Sequence, residues 1–427
     1  MKHYTRGEGG VPDSADFVMF WWQHAAGLVR AGKAQRFGFI TTNSLRQTFN
    51  RRVIEQHLNP TLNRHSRAGG NPAPTSNQGL NPSQIDELDS RIRGNDGLYL
   101  AYAIPDHPWV DSADGAAVRI AMTVGVAGAG EGRLLTVTAE RETGGEGLAV
   151  DLTERIGLIH ADLSIGANVA AAKALRANGG VANRGVQLLA SGFVVTHENA
   201  LQLEAGALIK AYRNGKDLTD KPRNVCVLDA YGLTQDDLRR DYPGVWQWLH
   251  DRAKPERDHN PRASYRENWW LFGENQPAMR ASLAGLHRYI ATPVTAKHRV
   301  FQFLEANILA DQALICVAFD DAYALGVLSS RVHVVWALAT GGRLGVGNDP
   351  RYNKSRCFET FPFPEASPES QTRIAALAEQ LDALRKRVLA EHPDLTLTGL
   401  YNVLEKLRTI EPSPRRRPGS SGNGLDS

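Results

Sequence analysis

The side chains able to do chemistry in this 427-residue sequence are scattered along it. Its thirteen histidines fall without HExxH or comparable ligand spacing, and no GxSxG elbow marks a nucleophile. Cys226, Cys316 and Cys357 are odd in number and lack CxxC spacing, which argues against a disulfide framework or a zinc ribbon. Asp320-Asp321 offers two adjacent carboxylates for a cation, although such a pair before Tyr323 more often sits in an exposed turn. Two glycine-rich runs invite a phosphate. Gly125, Gly128, Gly130 and Gly132 follow an apolar run, but a phosphate-cradling loop needs a helix N-terminus directly afterwards. Arg133 to Glu140 (RLLTVTAE) instead alternates like a strand, so the spacing favours a hairpin turn. Gly341-Gly342-Arg343-Leu344-Gly345-Val346-Gly347 lacks the same support, though glycines around an arginine let backbone approach a phosphate. No metal site and no complete catalytic constellation is legible.

Charge is more informative. The net charge of +3 names no partner, but its distribution is uneven. From Arg252 to Arg299 nine Lys/Arg stand against four Asp/Glu, and from Arg331 to Arg356 five stand against one. Clustering of this kind is the footprint of a polyanion-binding surface. The competing reading is that these residues merely solvate helix faces.

The elements that must position such residues come in blocks. At about 100–200 residues per domain the chain holds two or three domains. With 42% hydrophobic and 22% charged residues it lies in the soluble globular range. The longest apolar stretch near the N-terminus, Phe17 to Trp22, is far shorter than the roughly 18 residues of a membrane span. Met1-Lys2-His3 opens no signal-peptide pattern, and a reduced cytoplasmic protein without membrane contact is expected.

Ser14 or Asp16 caps a predicted helix carrying Phe17, Phe20, Trp21, His24 and Leu28, which stops at Gly32. Arg36 to Thr42 reads as a buried strand, and Asn43-Ser44 caps a second helix with Leu45, Phe49, Val53, Ile54 and Leu58 inward. Leu98 to Ile104 and Ala116 to Val126 are further strands around the loop Pro105 to Gly115. This alternation predicts an α/β layer over 1–62 and 98–140, incomplete because three good strands do not make a doubly wound sheet.

Residues 63–97 interrupt it, with five Gly, three Pro, five Asn and no aromatic. They cannot bury enough apolar area to offset their ordering entropy. The ends Arg64–Pro72 and Ser90–Gly97, like the tail 412–427, resemble peptides translated from a dispersed bacterial palindromic repeat. Both segments are read as disordered and incidental. Residues 141–175 connect to a second, α+β region at 176–365, rich in turns and tryptophan. At 366–411 Ser367-Pro368-Glu369 opens a helix whose Ile374, Leu377, Leu381, Leu384 and Val388 predict a bundle seam.

Phe37-Gly38-Phe39-Ile40-Thr41-Thr42-Asn43-Ser44 resembles the strand-to-helix motif that follows the catalytic tetrapeptide of adenine-specific, S-adenosylmethionine-dependent DNA methyltransferases. Pro105–Val110 with Gly115–Arg119 resembles the next motif of that domain. The second region is similar to the target-recognition region of MmeI-like (Type IIL or IIG) restriction–modification proteins. The matching runs are Gly185-Val186-Gln187, Tyr265–Trp270, Lys297–Phe301, Leu325–Ser330 and Phe361–Pro364. Apart from the two repeat-like segments the resemblance covers nearly the whole chain. It does not extend to the family's Asp-Pro-x-x-Gly-x-Gly cofactor loop or its Asn-Pro-Pro-aromatic tetrapeptide. Asn59-Pro60-Thr61, Asn71-Pro72-Ala73, Asn81-Pro82-Ser83 and Asn260-Pro261-Arg262 do not continue as Pro-aromatic.

The resemblance implies a truncated Rossmann-like methyltransferase sheet, an α+β target-recognition domain and a C-terminal helical segment. It implies the C-terminal portion of an adenine-N6 DNA methyltransferase that uses S-adenosylmethionine when complete, with no cofactor-binding or metal residues in this chain. Trp109 stands where the family places an aromatic against a flipped base, with Asn43 and Ser44 lining that pocket. A core or interface Trp, a strand end and a helix cap would equally explain these three. For the backbone of double-stranded DNA the candidates are Arg262, Arg266, Lys297, Arg299, Arg343, Arg351 and Lys354, while Tyr265 to Trp270 is read as packing rather than intercalating. Two rival readings are a non-enzymatic DNA-specificity subunit completed in trans by a separate polypeptide, and a decayed remnant with exposed sheet edges.

Overall fold

The computed structural model describes residues 10–12, 15–58, 97–109, 119–142, 148–169, 172–344 and 349–410. The expectations for residues 63–96, for Val110 to Val118 and for the tail 412–427 lie outside them. The chain divides into two units, Met1–Ala171 and Ala172–Ser427.

In the first unit α1 (Val18–Arg30) forms because Met19, Trp22, Ala26 and Val29 recur three or four residues apart and bury together. This stripe differs from the expected one. Phe17 and Trp21 are 55% and 57% exposed, because Trp22 rather than Trp21 enters the core. There its indole N–H donates to the Thr123 hydroxyl at 3.3 Å, satisfying the one polar atom it buries. Asp16 caps nothing in α1; it joins Asn50 of α2 (Thr48–Leu58) instead. A short 3₁₀ turn, Asn43–Arg46, links β1 (Arg36–Thr42) to α2.

Five strands form one sheet in the order β1-β3-β2-β4-β5. The others are β2 (Leu98–Pro108), β3 (Arg119–Ala127), β4 (Gly132–Glu142) and β5 (Leu148–Gly157). Pairing is antiparallel except between β2 and β4. The sheet is larger than the three strands expected of this layer: β4 is the strand expected from the alternation at Arg133 to Glu140, and β5 comes from the stretch read as a connection. The glycine run is not a hairpin turn either. β2 lies between β3 and β4, so the link passes around the start of β2, where the Gly128 N–H donates to the Gly97 carbonyl at 2.8 Å. Gly128 has φ +99°, and a Cβ on Gly132 would lie 1.9 Å from the Leu100 carbonyl oxygen. These glycines serve a close backbone crossing.

The second unit holds two four-stranded sheets. One, β11-β10-β13-β6, is antiparallel throughout and consists of β6 (Ala182–Arg184), β10 (Arg288–Pro293), β11 (Gln302–Glu305) and β13 (Leu314–Val317). The other orders β12 (Ile308–Ala310), β8 (Ile209–Arg213), β9 (Cys226–Leu228) and β7 (Val194–Val195), with β12 parallel to β8. A small ladder joins β14 (Gly342–Leu344) to β15 (Asp349–Arg351). Phe193, Trp269, Phe272 and Tyr289 belong to one apolar core, and Phe301, Phe303, Leu325, Tyr352 and Phe358 to another.

The Pro368–Glu391 helix starts as expected, with the Ser367 hydroxyl accepting from the Ser370 N–H at 3.3 Å. Its buried face is not the leucine stripe. Ala378, Asp382 and Arg385 face inward, while Leu377 and Leu384 are 63% and 46% exposed. Of the expected stripe Ile374 does pack inward, since a Cβ on Gly326 of the neighbouring Ala322–Ser329 helix would come within 2.5 Å of an Ile374 methyl. Asp382 then accepts from the Phe303 N–H at 3.2 Å, and Arg385 donates to the Phe301 carbonyl at 2.8 Å. Asp321 caps the Ala322–Ser329 helix by accepting from the Ala324 N–H at 2.8 Å. Among the described residues no group of His, Cys, Asp and Glu could hold a metal ion, and no single helix is long and apolar enough to cross a membrane.

Candidate nucleic-acid interface

In the first unit the carboxyl ends of β1 and β2 meet at one end of the sheet, because β3 runs antiparallel between them. Thr42 pairs with Ile120, and Pro108 with Arg119. There the Asn43 amide donates to Asp106 Oδ1 at 3.0 Å, and Arg119 Nε donates to the same oxygen at 2.6 Å. Arg119 also reaches Glu140 at 2.9 Å. Burial works against its charge, but the hydrogen bonds to Asp106 and Glu140 prevail and hold the guanidinium above its ordinary value.

Ser44 belongs to a second network. Its hydroxyl donates to Asp16, whose Oδ2 also accepts from the Asn50 amide at 2.8 Å. Trp109, directly after β2, is 51% exposed, in contrast to the fully buried Trp22. The sheet end therefore presents an open indole beside amides and carboxylates fixed by one another. Such a surface can stack a planar base and hydrogen-bond its edge.

The basic candidates of the second unit differ in what they hold. Arg262 is exposed; it donates to the Tyr265 hydroxyl at 2.7 Å and lies 4.0 Å from Glu274. Arg266 donates to the Asn260 carbonyl at 2.7 Å. Lys297 reaches Asn402 at 2.7 Å and Glu405 at 3.8 Å on the Leu397–Ile410 helix. Lys354 pairs with Glu359 at 3.1 Å. Arg343 lies on β14 opposite Pro350, with its side chain outside the described residues. Arg351 is half-buried, and its guanidinium meets no acceptor among the described residues.

Arg299 is a correction. It is buried and donates to the Thr292 hydroxyl at 3.1 Å, the Pro293 carbonyl and the Pro350 carbonyl at 3.0 Å. Burial pushes it down to about 10. It cannot reach a phosphate; it braces the strand that carries Arg351. Beneath that strand Tyr352 is buried with its hydroxyl 2.9 Å from His333 Nε2. Tyr265 is half-buried and Trp269 buried.

Backbone pairings string these residues together. Glu274 pairs with Gln187, Val186 with Asp311, and Thr295 with Arg351. Arg184, opposite Ile315, falls within this series and was missed by sequence reasoning. Its only signal was its place directly before Gly185-Val186-Gln187.

Residues 280–365 match the family model of the MmeI target recognition domain. Over 91 residues the chain is 42% identical to DNA methyltransferase A of Bacillus subtilis (strain 168), a match covering 21% of this chain and 9% of that protein. The fold is similar to the solved structure of the Type IIL restriction–modification enzyme MmeI in complex with DNA, with a TM-score of 0.63 and 18% identity. That likeness covers 91% of this chain and 46% of MmeI, so the chain spans less than half the length of either relative. Residues 280–365 thus match the MmeI target recognition domain, in a chain whose fold is similar to that of MmeI over most of its length.

Proposed function

We propose that this chain serves a restriction–modification system as the DNA-recognising portion of an adenine-N6-specific, S-adenosylmethionine-dependent methyltransferase. The observation that carries this is the target-recognition match at 280–365, which contains Lys297, Arg351 and Lys354. The partner is double-stranded DNA. Arg262, Arg266, Lys297, Arg343, Arg351 and Lys354 neutralise its phosphates and set register, without themselves reading sequence. Trp109 stacks on an adenine turned out of the duplex, with Asn43 and Asp106 fixing the polar rim beside it.

The described residues do not fit S-adenosylmethionine. The Gly125–Gly132 run is spent against Tyr99 and Leu100, and β4 rather than a helix follows it. No step of methyl transfer is therefore assigned to this chain, whose part is to bind and orient DNA. We take it to act in the cytoplasm, where the buried Cys226, Cys316 and Cys357 stay reduced.

A second reading, a specificity subunit completed in trans by a separate polypeptide, is favoured by one observation. Among the described residues β1 pairs on one side only, and Ile40, Phe17 and Trp21 are exposed. Incubating the chain with labelled S-adenosylmethionine and mixed-sequence duplexes tests the division of labour. Duplex binding that weakens steeply with salt, without methylation, is expected. Methylation by the chain alone would overturn the assignment, and absence of duplex binding at low salt would overturn the whole function. Co-purification with a polypeptide carrying the cofactor loop would favour the second reading.

A further inference from the structure

We propose that Arg184 and Arg351 together clamp one phosphate of the DNA backbone. The inference rests on the DNA-binding function above and adds a residue and a geometry to it. The two lie far apart in sequence, and the antiparallel sheet of the second unit brings them together. Arg184 ends β6 opposite Ile315, and its Nε donates to the Gln312 carbonyl at 3.1 Å. The adjoining Ala313 carbonyl accepts from the Val294 N–H at 2.7 Å. Val294 in turn accepts from the Tyr352 N–H at 2.7 Å, and Thr295 bridges to Arg351. The two guanidinium groups thus flank the same end of β10 and β13.

Neither forms an ion pair with a carboxylate among the described residues. Other arginines of the unit are matched, Arg223 with Asp217 at 2.8 Å, Arg280 with Asp229 at 2.7 Å and Arg288 with Glu379. Asp311, the acid whose charge reaches Arg184, is already committed to the Tyr212 hydroxyl and to the Ala313 N–H at 2.7 Å. Burial and, after it, the charge of Arg351 hold the Arg184 guanidinium below its ordinary value, so the pair repels in the free protein. A bound anion converts that repulsion into two charge-assisted contacts. Arg299 keeps Arg351 in place from below through the Pro350 carbonyl.

The test is duplex binding by fluorescence anisotropy between about 50 and about 200 mM salt, with unfolding midpoints measured alongside. Arg184→Gln weakens every duplex by the same factor, and its combination with Arg351→Gln, which leaves the shared phosphate unheld, lowers the slope of log affinity against log salt by about 0.9. The deficit of that double variant consequently shrinks by about threefold across that salt range. Arg184→Lys, which retains the charge, keeps the wild-type slope. Because both arginines hold one phosphate, Arg184→Gln combined with Arg351→Gln loses less than the product of the single losses. Arg373→Gln, on the exposed side of the Pro368–Glu391 helix, changes nothing.

Wild-type affinity and slope in Arg184→Gln would overturn the clamp while leaving the DNA-binding function intact. So would multiplicative losses in the double variant, or a loss confined to particular base sequences. Wild-type protein that binds no duplex at low salt would instead overturn the function itself, and the clamp with it.

Discussion

Acid should unfold the second unit through His333. This side chain is fully buried, its Nε2 faces the Tyr352 hydroxyl at 2.9 Å, and its Nδ1 has no partner among the described residues. Burial first, and the charge of Arg299 second, push it down to about 3 from an ordinary 6.5. Below pH 6.5 the unfolded chain takes up a proton that the folded chain refuses until near pH 3. The stability that His333 contributes above pH 6.5 is therefore lost as the pH falls towards 3. At about 1.4 kcal/mol per pH unit, the loss between pH 7 and pH 5 is about 2 kcal/mol.

His333→Gln keeps a polar atom for Tyr352 but cannot titrate. Urea unfolding at the two pH values, followed by tryptophan fluorescence, should show the variant losing about 2 kcal/mol less than wild type on acidification. His57 in the first unit, pushed down to about 4 by burial and Arg30, acts with the same sign and cancels in that difference. An unchanged pH dependence in the variant would refute the assignment of a neutral, proton-refusing His333.

Three further outcomes follow from particular contacts. Arg299→Met strands the Pro293 and Pro350 carbonyls in the core, and denaturant titration should register a loss of about 3 kcal/mol. A loss under about 1 kcal/mol would instead point to an exposed, phosphate-binding arginine. Gly132→Ala should lower the unfolding midpoint of the first unit sharply, its Cβ being 1.9 Å from backbone, whereas Gly27→Ala, with nothing within 4 Å inside α1, should raise it slightly. Trp109→Ala should leave stability within about 0.5 kcal/mol, while weakening capture of an unstacked 2-aminopurine by about 1–3 kcal/mol in a fluorescence titration. Equal capture would remove Trp109 from the base pocket.

What was legible in advance is local. The β-branched, aromatic run of β1 and the Ser367-Pro368 start of the Pro368–Glu391 helix are written in neighbouring residues and form where expected, although β1 is not the buried strand expected but an edge strand with only Thr41 buried. The runs Lys297–Phe301, Leu325–Ser330 and Phe361–Pro364, which lie inside the matched residues 280–365, were legible in the same way, as short contiguous patterns. Which face of a helix turns inward was not. α1 carries apolar residues on several sides, so periodicity could not choose Trp22 over Trp21. In the Pro368–Glu391 helix Asp382 and Arg385, which hydrogen-bond the Phe303 and Phe301 backbone, take the inward positions in place of Leu377 and Leu384.

Composition could count the arginines of the recognition region but not sort them. Arg299 and Arg351 each lie in one of the two basic stretches of sequence, yet one is enclosed by carbonyls and the other's guanidinium meets no acceptor among the described residues. Arg184 joins Arg351 only because β6 pairs with β13. The sequence by itself determined which residue types were at hand and which short elements they build. Burial and strand register, which join residues far apart in sequence, decided which charges remain open to an anion.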